Sequence, residues 1–506
     1  MVTRVTSQTM QRNAINNIFR ITEDLFKVQN KIATGKRILT PSDDPSGMTD
    51  VLSLRTSIAQ TRQFSRNIDN NKIFLQRTDS ELNSVGLGLN RAKELAISEL
   101  GGTSTATTRQ FTAYEIDQII SSVIQAGNTQ VKNQYIFSGT KTRTEPFQKS
   151  ASSAVYLGNT EKFVMEIADG ININLTLPGS DVLGADLNPV INTTTSLSDL
   201  NGATGIAAGT FNITDRSGTS ANITLSSSGT IADVISAINS ASVNITASIN
   251  SATDGISLTD TNSVITQALV VTEVSGGSTA SGLGILGSRN GNLEGTDLDP
   301  GLSSLTKISE LNGGSGLTLG DISIINGSAS GTVSLSSAST IGDVLTLINN
   351  SGFNVTASIN SAGNALRIDS NNSSTVAVVN DVGTGTVAEQ LGLGGGRNSI
   401  NTLIKLKQAL EQDDTEAILA SLINLDSGME TIQEARAITG GILNRVDSND
   451  FFHDRGIIDQ TEQISDIEDA DLIQSASDLA AFEIALQASL DSTARIIQPS
   501  LLNFLS

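Results

Sequence analysis

Apolar residues recur at helical spacing at both ends of this chain and alternate with polar residues through its middle. From about Thr9 to Thr34 the pairs Ile18/Phe19, Leu25/Phe26 and Ile32/Ala33 return every seven residues, which sets them on one helix face. Gly35 follows as a helix stop. A second pattern opens at Asp44-Pro45, with Asp44 as N-cap and Pro45 as first helical residue. It runs through Val51, Leu54, Ile58, Ile68, Leu75, Leu82, Leu89, Ala92 and Ala96 to Gly101-Gly102, which predicts an unusually long helix. A third, roughly Thr105 to Gln134, carries Phe111, Ile116, Ile119, Ile120, Val123 and Ile124. Near the other end Leu403, Leu406, Leu410, Ile418, Leu419 and Leu422 begin a helical pair. The last run, about Ile457 to Ile497, sets Leu472, Ala476, Leu479, Leu486, Leu490, Ala494 and Ile497 at spacings of three and four. Pro499 is expected to end it.

The middle repeats itself. TIADVISAINSASVNITASINSA (230–252) returns as TIGDVLTLINNSGFNVTASINSA (340–362), and DLNGATG (199–205) returns as ELNGGSG (310–316). Each copy has a hairpin-like alternation (Phe211-Asn-Ile213; Ile322-Ser-Ile324), then a short helix opened by Thr230 or Thr340 with Asp three residues later, an approximate capping box. Two strands follow, Asn244–Ile249 and Ile256–Thr259 in one copy, Asn354–Ile359 and Ala365–Ile368 in the other. Two tandem α+β modules fit this better than a solenoid, which needs more repeats of shorter period.

Charge divides the chain the same way. Residues 1–149 hold 19 Lys and Arg against 13 Asp and Glu, residues 405–506 hold 6 against 19, and the stretch between holds 6 against 20. A basic N-terminal helical set and an acidic C-terminal one attract, so the ends are expected to form one helical unit. The expected fold is multidomain α+β: long terminal helices pair as a rod or coiled coil, with two duplicated small α+β modules inserted between them. The expected parts are an N-terminal assembly helix (1–40), a helical rod domain (41–150 with 399–450), a β-rich transition (151–194), the two modules (195–299 and 300–398) and a C-terminal assembly helix (451–506).

Composition narrows the chemistry. The 506 residues include no cysteine, which excludes disulfides, thiolate metal sites and cysteine nucleophiles. One histidine, His453, excludes histidine-cluster metal sites. A net charge of −21 argues against nucleic acid as a partner. No stretch approaches the roughly 18 apolar residues that cross a bilayer, so no membrane insertion is expected. The polar start, MVTRVTSQTMQR, lacks the apolar core of a cleaved secretory signal.

Five features could carry chemistry or modification, and each has a plainer explanation. Gly282, Gly284 and Gly287 spell G-x-G-x-x-G, but the SRNGNLEGT that follows is loop, where a dinucleotide site needs a helix. Asp43 and Asp44 are adjacent carboxylates that a helix cap accounts for. Asp297-Leu-Asp299 resembles part of a calcium loop without the remaining ligands. His453, in NDFFHDRG, has acids beside it but no accompanying nucleophile motif. Asn-x-Ser/Thr sequons follow from the composition of the middle. No catalytic, metal or cofactor residue is assigned, and the protein is expected not to be an enzyme.

The segments at the ends resemble one family. IATGKRILTPSDDPSG (32–47) resembles the joint between the first two helices of flagellin-type proteins, and its TPSDDP resembles the hook–filament junction branch more than filament flagellins. NQYIFSGTKTRTEPF (133–147) is similar to that family's exit from the third helix, and FEIALQASLDSTARIIQPSLLNFLS (482–506) to its terminal helix. The resemblance implies a structural adaptor that assembles as a ring at the hook–filament junction. Its partners would be other copies of itself, the proximal hook-associated protein, flagellin and a flagellar export chaperone. It would reach the extracellular flagellum by the flagellar type III route, without a cleaved signal peptide. Filament flagellin is the alternative, and a surface adhesin or glycan-binding module a remote one. Terminal seams too narrow to bury themselves would order on docking to neighbours, with Ile18, Leu25 and Ile32 expected against Leu479, Leu486 and Leu490.

Overall fold

The computed structural model describes residues 7–502, apart from 151, 264 and 299. The first residues of the polar Met1–Arg12 segment and the end of the closing LLNFLS therefore lie outside the described residues, as does Asp299. About half the chain is helical, with long helices toward both ends and a β-rich middle. Two compact units emerge, one of Met1–Asn70, Glu166–Ile171 and Arg445–Ser506, the other of Asn71–Met165 and Asn172–Asn444.

Eight helices set the frame: α1 (Ser7–Thr34), α2 (Pro45–Glu99), α3 (Ala106–Gly127), α4 (Ile231–Asn239), α5 (Ile341–Asn349), α6 (Ser399–Glu411), α7 (Thr415–Glu468) and α8 (Leu472–Leu502). α1 stops where expected, at Gly35 with φ +68°. α2 runs 55 residues without a break, as the absence of proline between Pro45 and Pro146 allows. α3 is shorter than its apolar spacing predicts. It ends at Gly127, where a Cβ would stand 2.7 Å from the Phe147 ring. Asn128 closes it by exchanging two 2.9 Å hydrogen bonds with the Phe147 backbone. Residues 130–135 then turn back as a hairpin through Lys132 and Asn133, both left-handed.

The C-terminal run also differs from expectation. One helix, α7, continues to Glu468, the chain breaks at residues 469–471, and α8 starts afresh behind Asp471. Apolar spacing carries across this break, so periodicity does not register it. α8 then passes Pro499 and reaches Leu502. Proline removes one amide donor but leaves helical φ accessible.

In the second unit, the stretch read from the sequence as the first module has a four-stranded sheet in the order Gly287–Arg289, Leu269–Glu273, Gly209–Thr214, Ser220–Leu225, and a three-stranded one in the order Leu293–Glu294, Ile256–Asp260, Ile245–Ile249. The second has Ala329–Ser334, Asp321–Asn326 and Ala377–Asp381 in one sheet, and Val355–Ile359 with Leu366–Ser370 in another. All neighbours are antiparallel. α4 and α5 each start with a reciprocal cap, the Thr230 amide donating to Asp233 Oδ2 at 2.8 Å and the Thr340 amide to Asp343 Oδ2 at 3.0 Å. Their inward faces, Ile231, Val234, Ile238 and Ile341, Val344, Ile348, are fully buried. Asn239 and Asn349 end the two helices alike, each exchanging hydrogen bonds with the backbone of a strand residue, Ala247 or Ala357.

The modules finish differently. Gly287–Arg289 and Leu293–Glu294 extend the first module's sheets beyond Leu269–Glu273 and Ile256–Asp260. In the second module, side chains of the helical part reach the matching strands: Lys405 donates to Ile368 O at 2.8 Å and Asn424 to Val379 O at 2.9 Å. Asp414 receives the Val376 amide at 2.9 Å. The Asn424 carbonyl also receives the Gly395 amide at 2.9 Å, where the chain leaves the module for α6.

Candidate assembly interface

The first unit is built from the ends of the chain together with Glu166–Ile171. α1 and α8 lie against each other. Along α1 the row Ala14, Ile18, Ile21, Leu25, Val28 and Ile32 is half-buried or buried, a spacing of three and four. Along α8 the corresponding row is Ser475, Leu479, Phe482, Leu486, Ser489 and Thr493. Ile18, Leu25, Ile32, Leu479 and Leu486 thus sit on inward rows, whereas Leu490 is 50% exposed. Leu472, Ala476 and Ala494, which share the stripe in sequence, are exposed as well. The side chain of Ile497 lies outside the described residues. Beside the inward rows, large apolar side chains stay open: Phe19 is 69%, Phe26 63%, Ile473 86% and Ile484 71% exposed.

The segment between α1 and α2 locks onto the break between α7 and α8. The Arg37 amide donates to Glu468 O at 2.6 Å, the Arg37 guanidinium to Ile467 O at 2.7 Å, and the Ala470 amide to Gly35 O at 2.9 Å. The Glu468 side chain is 7% exposed and receives Lys36 at 2.8 Å, while Arg55 Nη2 donates to both its oxygens, at 2.6 and 2.9 Å. Burial pushes the Glu468 carboxyl up, but the bonds from Lys36 and Arg55 outweigh it and leave the group below the usual range. Asp471 Oδ1 caps α8 by receiving the amides of Ile473 and Gln474.

The adjacent carboxylates have separate structural tasks. Asp43 Oδ2 receives the Leu39 and Thr40 amides at 3.0 and 2.8 Å, which lowers its pKa. Asp44 Oδ1 receives the Gly47 amide at 2.9 Å and opens α2 ahead of Pro45. Gly47 leaves room there: a Cβ would meet Asp44 Oδ2 at 2.7 Å and Ile38 Cδ1 at 2.9 Å, so those side-chain ends would have to shift. Each of the two carboxylates thus closes a turn or a helix end.

Those local features coincide with a family match. Residues 5–142 match the bacterial flagellin N-terminal helical region. The chain is 28% identical over 167 residues to flagellar hook-associated protein 3 of Escherichia coli K12, covering 32% of this chain and 51% of that protein. It is 32% identical over 130 residues to the flagellar filament 41 kDa core protein of Borreliella burgdorferi, covering 26% of this chain and 39% of that protein. The crystal structure of Xanthomonas campestris FlgL aligns with 81% of this chain and 98% of its own length, at 14% identity and a TM-score of 0.36. The chain spans about half the length, or less, of the curated relatives it matches.

The remaining candidates resolve into local structure. His453 Nε2 lies 2.6 Å from the carbonyl oxygen of Ile167, at the tip of the hairpin of Val164–Ala168 and Ile171–Asn174, and its ring stacks on Phe64 at 5.9 Å. Burial and the neighbouring Asp69 and Asp454 raise the pKa of Asp450 beside it. Gly282 ends a four-residue helical turn and Gly284, at φ +67°, approaches Thr296 too closely for a Cβ. Gly287 opens a strand that pairs with Leu269–Val271, so the glycine triplet leads into a sheet edge and not to a helix N-terminus. Among the described residues no group of three or more acids and histidines is arranged to hold a metal, and no helix is long and apolar enough to cross a membrane.

Two residues that hold this joint together escape sequence reasoning. Glu468 is one acid among many in the C-terminal zone, and nothing local marks it as the receiver of Lys36 and Arg55. Asp471 did leave a signal, an N-cap residue directly before an apolar run.

Proposed function

We propose that this chain is a structural subunit of the bacterial flagellum that self-assembles through its terminal helices as an adaptor ring at the hook–filament junction. The observation that carries the reading is the exposure of Phe19, Phe26, Ile473 and Ile484 beside the paired rows of α1 and α8, in a chain whose residues 5–142 match the bacterial flagellin N-terminal helical region. Burying each such side chain stabilises an assembly by about 1.5–3 kcal/mol, and neighbouring copies supply the cover. Ile18, Leu25 and Ile32 with Leu479, Leu486 and Leu490 form the assembly interface, the terminal helices pairing as a coiled coil, and Asp44 with Pro45 sets the start of the rod. The parts are those drawn from the sequence: assembly helices at 1–40 and 451–506, a rod of 41–150 and 399–450, a transition at 151–194 and duplicated modules at 195–299 and 300–398.

On this reading the partners are other copies in the ring, the proximal hook-associated protein on one side and flagellin on the other. An export chaperone holds the chain before it leaves the cell uncleaved. The match to a filament core protein supports filament flagellin as the second reading. Immunogold microscopy of intact flagella with antibody to residues 195–396 separates the two. A single band where hook meets filament is expected, and label along the whole filament overturns the junction assignment.

A further inference from the structure

The internal repeat begins further upstream than the DLNG and ELNG segments. GADLNPVI (184–191) returns as GTDLDPGL (295–302), so each repeat opens with an Asp-Leu-x-Pro strap. With the repeats framed from these straps, as 184–294 and 295 onward, each leucine leaves the core formed by the rest of its own repeat. Leu187, from the first repeat, is buried in the core of the second module. Leu298, from the second repeat, is buried in the core of the first. Four residues on, each strap returns home: Ile191 joins the first core and Leu302 the second.

The backbone bonds repeat the exchange pair by pair. Leu187 N donates to Asn364 O at 2.8 Å, and Leu298 N to Asp254 O at 2.8 Å. Leu187 O receives the Asn312 amide at 2.7 Å, and Leu298 O receives the Asn201 amide at 2.6 Å. Val190 N donates to Glu310 O at 2.8 Å, and its counterpart Gly301 N donates to Asp199 O. The homeward residues then bond within their own modules, Ile191 N to Thr253 O at 2.9 Å and Leu302 N to Gly363 O at 2.5 Å.

The DLNG and ELNG segments form the cradles. Asn201 and Asn312 both adopt φ +53°, and Gly202 and Gly313 follow at +64° and +62°. This left-handed pair turns the asparagine amide outward to the strap carbonyl, a conformation that Asn and Gly accept with least strain. The seam is also matched in volume. Val190 faces Gly314, where an added Cβ would lie 3.4 Å from Val190 Cγ1. In the counterpart pair the bulk is reversed: Gly301 faces Ala203, and a Cβ on Gly301 would meet Ala203 Cβ at 2.8 Å.

We propose that each repeat carries a binding groove for the Asp-Leu-x-Pro strap of the other, and that the two are closed by reciprocal exchange of these straps. Neither repeat is then complete on its own stretch of sequence: the first closes on Leu298 and the second on Leu187. The second waits for a leucine placed at the start of the first, so the pair is held in one mutual arrangement by two straps of opposite direction. Sequence order alone would assign Leu187 to the module that follows it and Leu298 to its own repeat.

The test is hydrogen–deuterium exchange read by mass spectrometry on the full chain carrying Leu187→Asp or Leu298→Asp. Leu187→Asp is expected to speed exchange in strands 321–326, 366–370 and 377–381 by about tenfold or more, as loss of a buried leucine does, with strands 209–214 and 269–273 little changed. Leu298→Asp is expected to give the opposite map. Should either aspartate variant fail to fold, Leu187→Ala and Leu298→Ala carry the same comparison. Loosening of the first module by the Leu187 variants, or equal effects on both modules, overturns the exchange.

Discussion

Glu468 joins more of the first unit than any sequence motif indicates, and its carboxylate does so as an ion. With its pKa held below 4.5 by Lys36 and Arg55, it adds stability above about pH 4.5 that is lost as pH falls through the lowered value. Glu468→Gln is expected to cost about 1–2 kcal/mol, since Lys36 and Arg55 are partly solvated and screened. Faster amide exchange at Arg37 and Ile38 checks this, and the variant's exchange should vary less than the wild type's on acidification from pH 7 to 3. Asp215 poses the same problem in the first module. It is fully buried, and burial pushes its carboxyl up. Bonds from the Ser217 hydroxyl and from the Ser217, Thr219 and Asn244 amides reverse this and bring it to about 2. A group lowered in the folded state stabilises above its unfolded pKa. The first module is therefore expected to hold constant stability from pH 7 to about 4 in this respect and to weaken between pH 4 and 2. Asp215→Asn should flatten that dependence in a pH series of thermal unfolding.

Among elements, the short helices of the modules have local causes and the long ones do not. α4 and α5 are nine residues each, too short to persist alone, and rely on their caps and three buried side chains. Thr340→Ala removes a reciprocal cap and is expected to lower stability by about 1 kcal/mol in chemical denaturation. Ser339 and Thr340 hold the Asp343 carboxyl at about 2, so this cap stays charged through most of the acid range. Asn424 works between elements. It is buried, and its removal leaves Val379 O and Gly395 N without their partner. Asn424→Ala should cost about 1–3 kcal/mol, with accelerated exchange confined to 377–381 and 394–396.

On the scale of the molecule, the open apolar residues of α1 and α8 separate assembly from folding. Phe26→Ser removes a side chain that is 63% exposed in the single chain. Its effect on monomer stability is expected to stay within about 0.5 kcal/mol, while incorporation into the flagellum, read by immunogold counts, falls sharply. Leu486→Asp strikes an inward row. It should abolish incorporation and leave amide exchange in the modules unchanged. Normal incorporation of Leu486→Asp would remove the terminal helices from the proposed interface.

Local chemistry made much of this protein legible. The N-caps Asp44, Thr230 and Thr340, the stop at Gly35 and the period of α1 and α2 depend on interactions within a few residues, and such interactions are written in order along the chain. The end of α3 at Gly127 was not legible, because it depends on Phe147 arriving from a later strand. Nor was the break at residues 469–471, where Gly35 and Arg37 take up the exposed backbone groups from the far end of the chain. Leu490 shares the stripe's spacing with Leu486, yet only packing against α1 decided which of them turns inward. The straps show the limit most directly. The repeat announces two modules, but the choice between closing one's own core and closing the other's is a matter of which partner lies within reach once the chain has folded.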